Sequence, residues 1–143
     1  MSRACLFCRI VAGDEPAHEV LRTDTVVAFL DIRPVFVGHT LVVPAEHVDT
    51  LSDLPADRLA DYFGAVQLLS TAIPAALGSQ GTWVSINNVV SQSVPHLHTH
   101  VVPRTKGDGL RGFFWPRTTY AADEASATAA AIRTAVGELS SSR

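Results

Sequence analysis

The chain has 143 residues, 47% of them hydrophobic and 17% charged, with a formal net charge of −3. That length and balance fit a single domain that buries a core without disulfide staples, and they exclude wholesale disorder. The acidic net charge argues against a nucleic-acid partner, which needs a basic surface to release counterions, and no apolar run reaches the ~18 residues of a membrane span.

In chain order, the opening "MSRACLFCRIVAG" is interrupted by Arg9 too early to serve as a secretory leader, so a cytoplasmic location is expected. Cys5 and Cys8 form C-x-x-C, with no strand before them of the kind a thioredoxin-like redox pair follows. Half of a zinc site, or a pair of buried thiols, are the readings left open. "LFCRIVAG" reads as a short helix closed by Gly13. "HEVLRT" and "TVVAFLDI" read as strands around Thr23 and Asp24, and "HTLVVPA" as a third after a loop marked by Pro34 and Gly38. Leu59, Tyr62, Phe63, Val66, Leu69 and Ile73 then recur at helical spacing, predicting one helix over 55–76 with Ser52 or Asp53 as its N-cap. "TWVSINN" and "HLHTHVVP" read as the fourth and fifth strands, joined by "VVSQSVP". "ADEASATAAAIRTAVGEL" predicts a C-terminal helix with Asp123 near its start, and the Ser-rich end is expected to fray. The fold class expected is α+β: a five-stranded, mainly antiparallel sheet with one long helix and a C-terminal helix.

Half of the six histidines fall on alternate positions of one short segment, as His96, His98 and His100. In a strand these share one face while Leu97, Thr99 and Val101 share the other. Burying three imidazoles without purpose demands partners for as many as six ring nitrogens, so a functional face is expected. Two chemistries suit it: convergence on a metal, or one ring acting as a nucleophile while its neighbours orient it. Asp and Glu are absent from residues 62–107, whereas Asn87, Asn88, Gln92 and Ser93 stand just before the histidines. Neutral donors suit a phosphate oxygen better than a catalytic metal. Arg104, Lys106, Arg111 and Arg117 follow, as a solvated basic loop or as contacts for a small anion.

"QSVPHLHTHVV" is similar to the signature of the histidine triad (HIT) family, and "CLFCRIVAGDEPAHEVL" and "VVAFLDIRPVFVGHTLVVPAEHV" resemble the segments that precede it in bacterial members. The resemblance covers roughly residues 5–105 and implies a single HIT domain with residues 106–143 as a C-terminal extension. It implies hydrolysis or nucleotidyl transfer at the α-phosphate of a purine nucleotide, with phosphoramidates, adenylates or dinucleoside polyphosphates as substrates, by a homodimer. His98 matches the nucleophile, His100 the histidine that contacts the phosphate, and His39 the upstream histidine that supports the nucleophile. Ser93 matches a hydroxyl that reaches the phosphate or the departing atom. Asp31, with Ile32 beside it, matches the ribose-binding position. Asn87, or Asn88 in another register, matches an amide near the phosphate, and Gln92 belongs to the same nucleotide-binding run.

In some bacterial members the matching C-x-x-C, the His of "P-x-x-H" and the first triad His bind zinc, which implies a structural site at Cys5, Cys8, His47 and His96, with no catalytic metal. One departure stands out: Ser91 occupies a position where the family commonly has Gly, and Gly reaches backbone torsions that Ser resists. That leaves a nucleotide-binding module with weak catalysis as the alternative function, and a metalloenzyme using the three histidines as a third. Phe113, Phe114 and Trp115 read as core, with a base cap or dimer contact as the other possibility.

Overall fold

The β-branched runs in the first third of the chain build an antiparallel meander of β1 (Glu19–Arg22), β2 (Val26–Leu30) and β3 (Thr40–Pro44). β5 (Thr99–Arg104) pairs with β3, and β4 (Gly81–Ile86) pairs with the far side of β5, giving the order β1-β2-β3-β5-β4. All four pairings are antiparallel, as the sequence leads one to expect. This computed structural model describes residues 4–110 and 117–141. Its chain divides into two units, 1–108 and 109–143. Arg111, Phe113, Phe114 and Trp115 lie outside the described residues.

The three inner strands are buried almost without interruption because both faces of the sheet are covered. Val26, Ala28, Val42, Leu97 and Val101 pack with Tyr62, Ala65, Val66, Leu69 and Ile73 of the long helix α2 (Leu59–Leu77). On the opposite face, Val27, Phe29, Leu41 and Val43 pack with Cys5 and with Phe7, Cys8 and Ile10 of α1 (Leu6–Ala12). The period-2 alternation thus sends successive residues to different helices. α1 is short but well delimited: the Cys5 thiol accepts the Cys8 N–H at its start, and Gly13 closes it at φ +83°.

Two boundaries differ from expectation. α2 begins at Leu59, not Pro55, because Ala56–Arg58 form a 3₁₀ turn; Asp53 caps an earlier turn, where its carboxylate accepts the Thr50 N–H at 3.1 Å. Leu59 and Phe63 stay partly exposed, so the buried stripe of α2 is narrower than the apolar pattern. The fifth strand begins at Thr99, not His96. Its pairing with β3 stops at Thr99 opposite Val42, near Pro44, which has no N–H to give and whose carbonyl is taken by the His96 ring at 2.9 Å. Residues 96–98 are held instead by the Leu97 N–H donating to the Val48 carbonyl at 2.8 Å. Alternation survives without the ladder: Leu97 and Thr99 face α2, and His96 and His98 touch Phe7 of α1.

In the second unit α3 (Glu124–Ser141) forms where the Ala-rich run predicts it, with no buried residue. No helix among the described residues is long and apolar enough to cross a membrane.

Candidate active site

The start of β5 and the approach to it bring His98 and His100 together with His39, three histidine rings in contact. The His98 and His100 ring centres lie 5.1 Å apart, and His39, from the start of β3, stands 5.2 Å from His100. Phe7 packs edge-on against His98 at 5.1 Å and fixes the plane of that ring from the α1 side.

Partners whose hydrogen-bonding roles are unambiguous determine where the protons sit. Nδ1 of His98 lies 2.8 Å from the carbonyl of His96. A carbonyl only accepts, so Nδ1 carries the proton and Nε2 keeps its lone pair. Nδ1 of His39 accepts the Val35 N–H at 3.0 Å, so the His39 proton is on Nε2. That Nε2 lies 2.9 Å from Nδ1 of His100, which must accept, leaving the His100 proton on its own Nε2. The relay Val35 to His39 to His100 therefore presents a donor beside the bare nitrogen of His98.

Burial keeps this relay neutral. It lowers the pKa of His39 against the pull of Asp31, whose carboxylate is 3.7 Å from Nε2. It pushes His100 down to about 4, aided by the neighbouring His98 and His39 and opposed by Asp31. Asp31, His39 and His100 are near enough for a cation. The proton that Val35 imposes on His39 Nε2 occupies the lone pair such a cation needs, so the trio works as a hydrogen-bond chain.

His98 and His100 line a cavity of about 380 Å³, with Ser93 and Asp31 in the same wall and Phe7, Ile10, Phe29, Ile32 and Leu41 supplying apolar surface. A volume of that order, apolar with a few convergent polar groups, suits a small organic ligand. Gln92 and both asparagines lie outside this wall. The Gln92 amide accepts the Val89 N–H at 3.0 Å and donates to the Asp49 carbonyl at 2.6 Å, and Asn88 accepts the Leu51 N–H at 2.9 Å. Both pin the loop ahead of Ser93; Asn87 is half-buried just past β4. Ser91 adopts φ +61° and Val89 φ +68°, so the position where glycine is commonest does take a glycine-like torsion. Arg104 is engaged by Asp108 at 2.6 and 3.2 Å and, like Lys106, is no part of the cavity wall.

A second cluster sits behind the first. Ligand atoms of Cys5, Cys8, His47 and His96 all lie within 4.8 Å of one another. Cys8 Sγ is 3.1 Å from Nδ1 of His47 and 3.6 Å from Nδ1 of His96, and Cys5 Sγ is 3.4 Å from the latter. The outer nitrogens face acceptors: His47 Nε2 meets Asp49 at 2.8 Å and His96 Nε2 meets the Pro44 carbonyl at 2.9 Å. Both Nδ1 lone pairs are thereby turned toward the thiols, and burial lowers the His96 pKa to about 4, which keeps its ring neutral. Two thiols and two so oriented imidazoles fit the donor set of tetrahedral zinc.

Sequence reasoning missed the Val35 N–H, the His96 carbonyl and the Asp49 carboxylate. The first two are backbone groups without a residue signature; Asp49, two residues past His47, was readable in principle.

Comparison with known proteins agrees with this geometry. The HIT domain pattern matches residues 12–107. The adenosine 5′-monophosphoramidase hnt1 of Schizosaccharomyces pombe is 34% identical over 126 residues, covering 87% of this chain and 92% of the relative. A HIT family member from Bacillus subtilis superposes with TM-score 0.85 at 34% identity, over 92% of this chain and 96% of that one. A zinc-bound histidine triad family protein from Mycobacterium smegmatis superposes with TM-score 0.71 at 35% identity, over 98% of each chain. With the triad face, the five-stranded sheet and this pattern in agreement, the chain belongs to the HIT family.

Proposed function

We propose that the protein is a hydrolase or nucleotidyltransferase that acts at the α-phosphate of a purine nucleotide through Nε2 of His98. The observation that carries this reading is the 2.8 Å contact between His98 Nδ1 and the His96 carbonyl, which leaves a lone pair on a ring lining the cavity. In the first step that lone pair bonds to phosphorus and the bond from phosphorus to the leaving group breaks. The leaving group departs with the electron pair and takes a proton from the Ser93 hydroxyl or the Nε2–H of His100. The nucleotidyl-imidazolium keeps its Nδ1–H on the His96 carbonyl. Water then attacks phosphorus, the P–N bond breaks, the electron pair returns to Nε2, and the water's proton restores the donor.

The remaining residues divide the work of binding. His100 donates to a phosphate oxygen, and His39 holds His100 in the tautomer that can. Asp31 accepts ribose hydroxyls, Ile32 and the apolar wall cover the base, and Gln92 and Asn87 belong to the frame of the phosphate loop. Adenosine phosphoramidates, adenylates and dinucleoside polyphosphates are the substrate classes, the first in line with the activity named for the Schizosaccharomyces pombe relative. Cys5, Cys8, His47 and His96 would hold a structural zinc, which when bound ties the N-terminal helix to the sheet. The outer edge of β4 has no neighbouring strand among the described residues, which supports a homodimer.

A nucleotide-binding module with weak catalysis is the second reading, favoured by the positive φ of Val89 and Ser91 in the loop before Ser93. His98→Asn separates the two: it should bind AMP as wild type does while losing turnover at least ~10³-fold. Hydrolysis near the wild-type rate across phosphoramidates, adenylates and diadenosine polyphosphates would remove the nucleophile assignment.

A further inference from the structure

The wall of the His98 cavity has few charges. Two carboxylates, Asp31 and Glu15, face it, and Arg33 is the one lysine or arginine among the described residues that lines it. His100 adds a donor without charge, since burial pushes its pKa down to about 4. A nucleotide is an anion, and one with several phosphates meets two negative groups in this wall and a single positive one.

Arg33 is also uncommitted. Its backbone N–H donates to Asp31 Oδ1 at 2.8 Å, closing a turn that fixes the residue beside that carboxylate. Its side chain is exposed, and no hydrogen bond or ion pair engages the guanidinium among the described residues. Three other arginines of the first unit are occupied: Arg22 by Glu19, Arg104 by Asp108, and Arg9 by Glu15 at 3.7 Å.

We infer that Arg33 selects nucleotides carrying a second phosphate besides the one that reacts. The inference rests on the reading above, in which phosphorus reacts beside His98, Ser93 and His100 while Asp31 takes the ribose. Arg33 follows Asp31 by two residues and is tied to it, so its charge belongs to the ribose side. In dinucleotide-binding folds an arginine near the ribose accommodates a ribose phosphate where a carboxylate otherwise binds the free hydroxyl, and here Arg33 and Asp31 offer both groups two residues apart. A guanidinium pairs with phosphate in a forked, charge-assisted geometry that lysine does not reproduce. The second phosphate has two possible sources, the ribose hydroxyls or the leaving group, and both are anions within the same chemistry.

Calorimetric titration of the full chain with AMP, adenosine 2′,5′-bisphosphate, adenosine 3′,5′-bisphosphate and ADP tests this. Wild type should bind at least one of the last three about 10-fold more tightly than AMP, and Arg33→Ala should bring that ratio to about one. Arg33→Lys should restore part of it. Preference for a ribose bisphosphate assigns the ribose side; preference for ADP assigns the leaving-group side. Equal wild-type affinity for AMP and all three overturns the role of Arg33 and leaves the reading of the site intact. An Arg33→Ala loss that is equal for AMP and the others also overturns it, because the guanidinium would then serve the reacting phosphate. Failure of wild type to bind AMP or any of the others would sink the nucleotide reading and this inference together.

Discussion

The carbonyl of His96 accepts from Nδ1 of His98 at 2.8 Å, while the His96 ring reaches the two cysteines at 3.4 and 3.6 Å. One residue thus joins the thiol cluster to the ring that faces the cavity: its side chain belongs to one site and its backbone orients the other. Replacing Cys5 and Cys8 together by serine is expected to abolish zinc binding in elemental analysis. It should lower the thermal midpoint by on the order of 5 °C or more and reduce turnover by loosening the His96 backbone. His98→Asn should keep its metal; loss of metal in that variant would place His98 among the ligands.

His39 should act through His100. Removing its ring leaves the Val35 N–H without its acceptor and His100 Nδ1 without its donor, so His100 can present the wrong nitrogen to the cavity. His39→Ala is expected to lower kcat about 10- to 100-fold with a smaller change in KM, the size typical of outer-shell partners. Nitrogen-15 NMR of the His100 ring should show the tautomer mixed in this variant and single in wild type. An unmixed tautomer would break the relay.

Stability should fall on mild acidification. In the folded state His100 titrates at about 4, below the ordinary 6.5, so between those values the unfolded chain binds the extra proton. Its contribution is complete above pH 6.5 and is lost as pH falls toward 4. His100→Asn should flatten this part of the unfolding free energy against pH. Denaturant titrations of both proteins from pH 7 to 4 measure the difference, and parallel curves would contradict the buried neutral ring.

Val89 adopts φ +68° while 76% exposed, so its β-branched side chain bears backbone strain with little packing in return. Val89→Gly should therefore stabilise the fold by about 0.5–1 kcal/mol, the strain relief exceeding the added entropy of the unfolded chain. The shift in urea midpoint measures it, and destabilisation would show that the valine contributes contacts worth more than its strain.

Much of this architecture is legible in the residues because the signals are periodic. His96, His98 and His100 share a face by simple alternation, and Tyr62, Val66, Leu69 and Ile73 mark the buried stripe of α2. Gly13 marks the end of α1 through its left-handed torsion. What stays hidden is carried by groups every residue has. The Val35 N–H and the His96 carbonyl decide which nitrogens bear protons, yet neither leaves a mark on residue type. The late start of β5 arises from competition between Pro44 and the His96 ring, a tertiary event outside the local pattern. The basic run after the triad points to Arg104, which Asp108 engages, whereas the cation in the cavity wall is Arg33, far from that run in sequence.

Rapid quenching of the full chain with an adenosine phosphoramidate, followed by peptide mass spectrometry, tests the central claim most directly. Nε2 of His98 should carry a transient nucleotidyl group that vanishes in His98→Asn. Steady turnover with no adduct, or with the adduct on another residue, would contradict it.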